Sequence, residues 1–142
     1  MATTPAFAST VRAQSVTISA ADTNRTAPAI ASTGILFIAG ANGSRVDEIT
    51  ITGNGASTTA NVVRIFIYGL PATAIASAVN TSATVYYLYQ EVLISANTAS
   101  ASNPAFTTTL TFNSLVLPSG ASLRVTTNNA ESYAVTAFGG DF

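Results

Sequence analysis

The chain has no lysine, histidine, cysteine or tryptophan among its 142 residues. Each absence removes a class of chemistry. Without histidine or cysteine there is no Ser-His or Cys-His nucleophile pair and no His/Cys site for zinc or iron. Without lysine there is no Schiff base, no Ser-Lys dyad and no Walker lysine. Without cysteine there is no disulfide, and cysteine usage says nothing about redox compartment. Charge is scarce as well: Arg, Asp and Glu make up 8% of the chain, with a net charge of −1. An ordinary soluble domain carries about 25%. No basic patch is available for nucleic acid. The longest uninterrupted apolar runs, 35–39 and 85–89, are too short to cross a bilayer as a helix, so no membrane partner is expected. The first 20 residues hold one charged side chain, Arg12, and no continuous apolar core. No secretory signal is expected there, and the cytoplasm is the expected place of synthesis.

What is present is small and β-forming. Ala, Ser and Thr account for 63 residues, while Val, Ile, Leu and Phe number 36, enough for one domain with a real core. The hydrophobic pattern has period two. In 15–20, Val16, Ile18 and Ala20 alternate with Ser15, Thr17 and Ser19. In 106–112, Phe106, Thr108, Leu110 and Phe112 alternate with Thr107, Thr109 and Thr111. Such alternation in β-branched residues marks half-buried strands. Further strands are expected at 35–39, 46–52, 62–68, 85–94, 123–127 and 133–138. Gly40-Ala41-Asn42-Gly43, Gly53-Asn54-Gly55 and Pro118-Ser119-Gly120 supply turns between them, and Asn128-Asn129 reads as a hairpin tip. About eight such strands in a chain of this size predict an all-β, single-domain, antiparallel β-sandwich of jelly-roll-like type. Residues 1–13 read as an extended N-terminal arm and 14–142 as the single β domain. The stretches 72–84 and 96–105 read as loops, with a short helix possible within 72–79.

Two strands are apolar on both sides. In 62–68, Val63, Ile65 and Ile67 face one way, and Val62, Arg64, Phe66 and Tyr68 the other. In 85–94, Tyr86, Leu88, Gln90, Val92 and Ile94 oppose Val85, Tyr87, Tyr89, Glu91 and Leu93. An antiparallel sheet wetted on one face is polar there, so something must cover these second faces: a loop or arm of the same chain, or another subunit. Aromatic residues and Arg are the types enriched at interfaces. Phe7, Arg12, Arg64 and Tyr89 are therefore the candidate protein-contact residues.

No catalytic, cofactor or metal site is expected. A glycosidase needs two converging carboxylates, and nothing in the sequence brings two together. Asp47 and Glu48, as strand neighbours, are expected on opposite faces, with one of them partnering an Arg. Asp22-Thr23-Asn24 supplies too few oxygens for calcium. Gly40-Ala41-Asn42-Gly43-Ser44 lacks the Lys and the following helix of a phosphate loop. Tyr86, Tyr87 and Tyr89 would stack sugars or bases if they shared a face, but core and interface packing is the expected use.

The segment 35–49, Ile35-Leu36-Phe37-Ile38-Ala39-Gly40-Ala41-Asn42-Gly43-Ser44-Arg45-Val46-Asp47-Glu48-Ile49, resembles small structural proteins of tailed-bacteriophage virions. So do the ending Tyr133-Ala134-Val135-Thr136-Ala137-Phe138-Gly139-Gly140-Asp141-Phe142 and the block 115–120 followed by Leu123-Arg124-Val125. The likeness runs in scattered blocks from about Ala13 onward and consists of turn and strand signatures. It implies a non-enzymatic virion component, a capsid decoration or cement protein on the outer surface of the phage head. The implied partners are the major capsid protein and copies of itself in a homotrimer. The alternative is a tail, fibre or baseplate component that binds host surface glycans.

Overall fold

Period-two alternation becomes two stacked sheets. The structure, a computed structural model, describes residues 9–55, 57–70 and 85–142. Among these lie β1 (Thr10–Ile18), β2 (Gly34–Ile38), β3 (Ser44–Gly53), β4 (Ser57–Thr58), β5 (Asn61–Tyr68), β6 (Tyr86–Ile94), β7 (Asn97–Thr98), β8 (Thr107–Leu117), β9 (Ser122–Thr127) and β10 (Tyr133–Asp141). One sheet has the order β1-β10-β3-β8 and the other β2-β9-β5-β6, with every ladder antiparallel. All eight expected strands are present, and the all-β sandwich is the fold. The short β4 and β7 pair as a separate ribbon, so part of the 96–105 stretch expected to be loop is strand. The other expected loop, 72–84, lies outside the described residues.

The eight long strands pair as nested partners: β1 with β10, β2 with β9, β3 with β8, and β5 with β6. A long hairpin rolled over on itself gives this order, and apart from the central pair β5 and β6 consecutive long strands alternate between sheets. One turn reading changes as a result. Asn128-Asn129 is not a hairpin tip, because β9 and β10 belong to different sheets. The pair sits in a crossover, where the Asn128 N–H donates to the Val62 carbonyl at 2.9 Å. Neither Asn has positive φ. The Pro118-Ser119-Gly120 turn is as expected: the Ala121 N–H closes on the Pro118 carbonyl at 3.1 Å, with Gly120 at φ +83°. That is type II turn geometry, which favours Gly at this position.

The inward positions of both sheets form one core. Ile18, Val46, Ile49, Ile51, Leu117 and Val135 from the first sheet meet Phe37, Val63, Ile65, Ile94, Leu123 and Val125 from the second. Part of the stretch expected as an arm, 1–13, is strand instead. Strand β1 begins at Thr10, paired with Asp141, so residues 10–13 belong to the sheet. Residues 1–8, including Phe7, lie outside the described residues.

Bulges break the alternation at defined points. Asp47 has no partner on either neighbour, since the register shifts there against both β8 and β10. An extra residue in a strand flips the facing of every residue after it. Asp47 and Glu48 therefore both sit between the inward Val46 and Ile49, half-exposed on the outer side. This corrects the expectation that they face opposite ways. The same bulge draws β10 against β3 so closely that a Cβ at Gly139 would overlap the Arg45 carbonyl oxygen.

Candidate functional site

Strands set where the ionic groups go, and most of those groups are consumed inside the chain. On the outer face of β5, Arg64 is 2% exposed. Its Nε donates to Glu91 of β6 at 2.8 Å, one terminal nitrogen to the Asp22 carbonyl at 3.0 Å and the other to Asn128 Oδ1 at 3.1 Å. Arg25 adds a second bond to the same Glu91 oxygen at 2.7 Å. Asp22 and Asn24 fold the β1–β2 connection onto this spot by accepting backbone N–H groups from Asn24, Thr26, Ala27 and Ala29. The first three are local Asx-type bonds and the fourth, from Ala29, closes a wider loop; they use oxygens of Asp22 and Asn24, and no cluster of metal-binding side chains is found among the described residues.

A second cluster ties β1 to the last strand. Arg12 donates to Asp141 at 2.8 Å and to the Ile38 carbonyl at 2.8 Å, and its guanidinium lies 4.9 Å from the Phe37 ring centre. Ser44 also donates to Asp141. With Gln14 accepting the Ile38 N–H at 2.9 Å, the exposed edge of β2 is capped at Ile38 by β1 side chains, one of the ways proteins blunt sheet edges. A third cluster fastens the β9–β10 crossover: Tyr133 donates to Glu131 at 2.6 Å, and Asn61 donates to Thr127, Glu131 and the Tyr133 oxygen.

These geometries fix the contact candidates. Arg64 is enclosed by its own chain and cannot touch a partner, so the expectation that it does is corrected. Arg12 is half-buried in an intramolecular ion pair and serves the fold. Tyr89 is exposed at the β5–β6 bulge, resting 5.9 Å from the Phe112 ring. The three tyrosines of β6 do not form a platform. Tyr86 packs edge-on against Phe66 at 5.8 Å, Tyr87 sits opposite Ile67 in the next register position, and Tyr89 belongs to the bulge. The second face of β5 is covered without another subunit, since Phe66 is fully buried. On β6, Leu88, Tyr89 and Leu93 remain exposed.

One ionic residue is unlike the others. Arg124, on the outer side of β9, stacks 4.0 Å from the Tyr68 ring centre and 5.9 Å from that of Tyr86. Arg12, Arg25, Arg45 and Arg64 each pair with a carboxylate. Arg124 pairs with none, although every Asp and Glu of the sequence lies among the described residues. Its Nε is buried with no hydrogen-bond partner. The sequence marks Arg124, like Arg64, as an Arg within a strand that needs a carboxylate or carbonyl from a neighbouring strand or another subunit; that its own chain supplies no carboxylate shows once each acid has been assigned.

Two open depressions lie among the described residues. One of about 390 Å³ lies between β1 and β2, lined by Val16, Ile18, Ala31, Thr33 and Ile35 among others, and a second of about 350 Å³ lies beside it near Gln14 and Ile38. Neither is lined by a charged residue. Comparison with protein-family models, curated proteins and solved structures gave no match to this chain.

The clusters predict a pH profile. Burial works to raise the Asp22 carboxyl, but bonds from Ser32 and two backbone N–H groups, with the Arg64 charge, hold it below its ordinary value. The Arg25 bond, with Arg64, lowers Glu91 against a smaller opposing effect of burial. Burial is likewise outweighed at Glu131 by Thr59, Tyr133 and Asn61, while Ser44 and Arg12 lower Asp141. Folded values below unfolded ones mean that this stability is complete above the ordinary carboxyl range and is lost as acid drives protons onto the folded chain. Tyr133 runs the other way: burial, then its bond to Glu131, push it up from 10.0 to about 12. Its contribution is complete below the unfolded value and fades across that interval as pH rises. Melting temperature against pH should show a plateau with an acid limb and a second, alkaline limb. A melting temperature unchanged from about pH 6 to about pH 3 contradicts this assignment.

Proposed function

We propose that the chain is a non-enzymatic structural subunit of a tailed-phage virion, a decoration or cement protein that binds the head surface across capsomer joints. One observation carries the reading. Ionic side chains are mostly paired with one another and fasten the chain to itself, while apolar side chains stand exposed on both outer faces: Val11, Phe138 and Val116 on one, Ile35, Ile38 and Leu88 on the other. Scattered exposed apolar residues are ordinary, but a rimmed group of them marks a contact surface. The nested strand order supports the same reading as a jelly-roll arrangement, a fold used by viral capsid and lectin domains; that support is analogy of fold and not of site. The resemblance of 35–49 and the C-terminal block points the same way. The major capsid protein and further copies of this chain are the partners this role requires. Symmetric repetition multiplies modest contacts through avidity.

The test is co-sedimentation of purified chain with DNA-filled heads prepared without it, with detached tails and with host polysaccharide. Saturable binding to heads alone is expected. Binding to tails or polysaccharide in place of heads would overturn the proposal in favour of a tail or fibre component that contacts host glycans.

A further inference from the structure

We infer that the outer faces of the two sheets bind each other between copies of this chain, with Glu48 of one copy paired to Arg124 of the next. The inference deepens the assembly reading above and rests on its premise that the chain works as a multimer. It begins from two residues that the fold leaves over. Arg124 has no carboxylate in its own chain. Among the acids, Asp47, Glu91 and Asp141 have an Arg, and Asp22 and Glu131 are each held by several hydrogen bonds. Glu48 accepts a single long bond, from Thr50 at 3.4 Å. The two unmatched ions have opposite signs and lie on opposite outer faces of the sandwich.

Their surroundings match as well. Directly across the ladders from Glu48 stand Phe138 on β10 and Thr111 on β8, with the exposed Val11 and Val116 toward the same end of the sheet. Directly across from Arg124 stand the exposed Ile35 on β2 and, on the other side, the buried Phe66 on β5; the exposed Ile38 and Leu88 lie nearby and complete the open apolar surface with Ile35. Each face thus presents one ion that no opposite charge of its own chain pairs, beside exposed apolar side chains. A guanidinium already stacked on Tyr68 has little freedom left to lose when a carboxylate arrives, and Arg is the cation suited to such a pair. A different face on each copy makes the contact heterologous, so repetition closes a ring or extends a filament. A self-complementary contact would place like ions together and is disfavoured by the same charges.

The test uses sedimentation velocity over a concentration series with the unaltered chain, Glu48→Arg, Arg124→Glu and the double reversal. Circular dichroism checks that each variant is folded. The unaltered chain should associate. Each single reversal should weaken association about tenfold or more by setting like charges together, and the double reversal should recover it to within a few fold. Because Arg124 packs on aromatic rings, Arg124→Gln serves as a second variant should Arg124→Glu fail to fold; it should weaken association without reversing the charge. An unaltered chain that stays monomeric throughout overturns the inference. So does association indifferent to Glu48→Arg, or a folded double reversal that fails to recover. Head binding, measured separately as above, decides the assembly reading on its own, so loss of this interface and loss of that reading are distinguishable.

Discussion

Gly139→Ala should abolish or nearly abolish the fold, costing about 4 kcal/mol or more. The methyl carbon would overlap the Arg45 carbonyl oxygen and sit 2.9 Å from the Val46 Cα. Both are backbone atoms of β3, so no side chain can rotate away. Strands β3 and β10 are the two inner strands of their sheet; parting them breaks the ladder that carries Ile49, Ile51, Val135 and Ala137 into the core. A domain of this kind has about 5–15 kcal/mol in total, so little or none would remain. Gly120→Ala is the matched control. Its φ of +83° strains any other residue, yet nothing lies within 4 Å of the added carbon. That change should cost only about 1 kcal/mol. Urea unfolding of the two variants separates crowding from backbone strain, and comparable losses in both would contradict the close approach at the bulge.

Arg64→Ala should cost about 3–5 kcal/mol, the range for breaking a buried ion pair by removing one partner. The guanidinium is enclosed, and its loss strips a donor from the Asp22 carbonyl and from Asn128. It also leaves a void where the side chain lay. Glu91 is partly exposed and keeps Arg25, so the acid is not stranded. Most of the loss belongs to the unsatisfied acceptors and the void. Arg64→Met, which refills the volume, should be markedly milder. Denaturation midpoints check both variants, and an Arg64→Ala loss within about 1 kcal/mol would show that the cluster adds little.

The sandwich was legible because alternation survives wherever one face of a strand is wet, as in 15–20 and 106–112. The outer face of β5 was harder to read. Its apolar and cationic residues signalled that a cover was needed, but the cover for Arg64 comes from positions 42 and 64 residues away. Sequence pattern does not say which distant loop returns to a strand. Asp47 and Glu48 were misplaced for a local reason: one inserted residue inverts parity, and no residue type announces it. Asn128-Asn129 has the same chemistry in a hairpin and in a crossover between sheets. Alternation already sets Tyr86 on the face opposite Tyr87, and the β5–β6 bulge takes Tyr89 out of the ladder, a shift that the residue types do not announce. Arg124 required the opposite kind of knowledge, since its distinction is an absent partner.

On the proposed function, the chain uses its ionic groups mostly to hold itself together and offers its apolar faces to other subunits of a particle. Counting its copies in purified virions, after heads and tails are separated, addresses that claim most directly. Many copies travelling with the heads is the predicted result; copies confined to tails, or none in the particle, would contradict it.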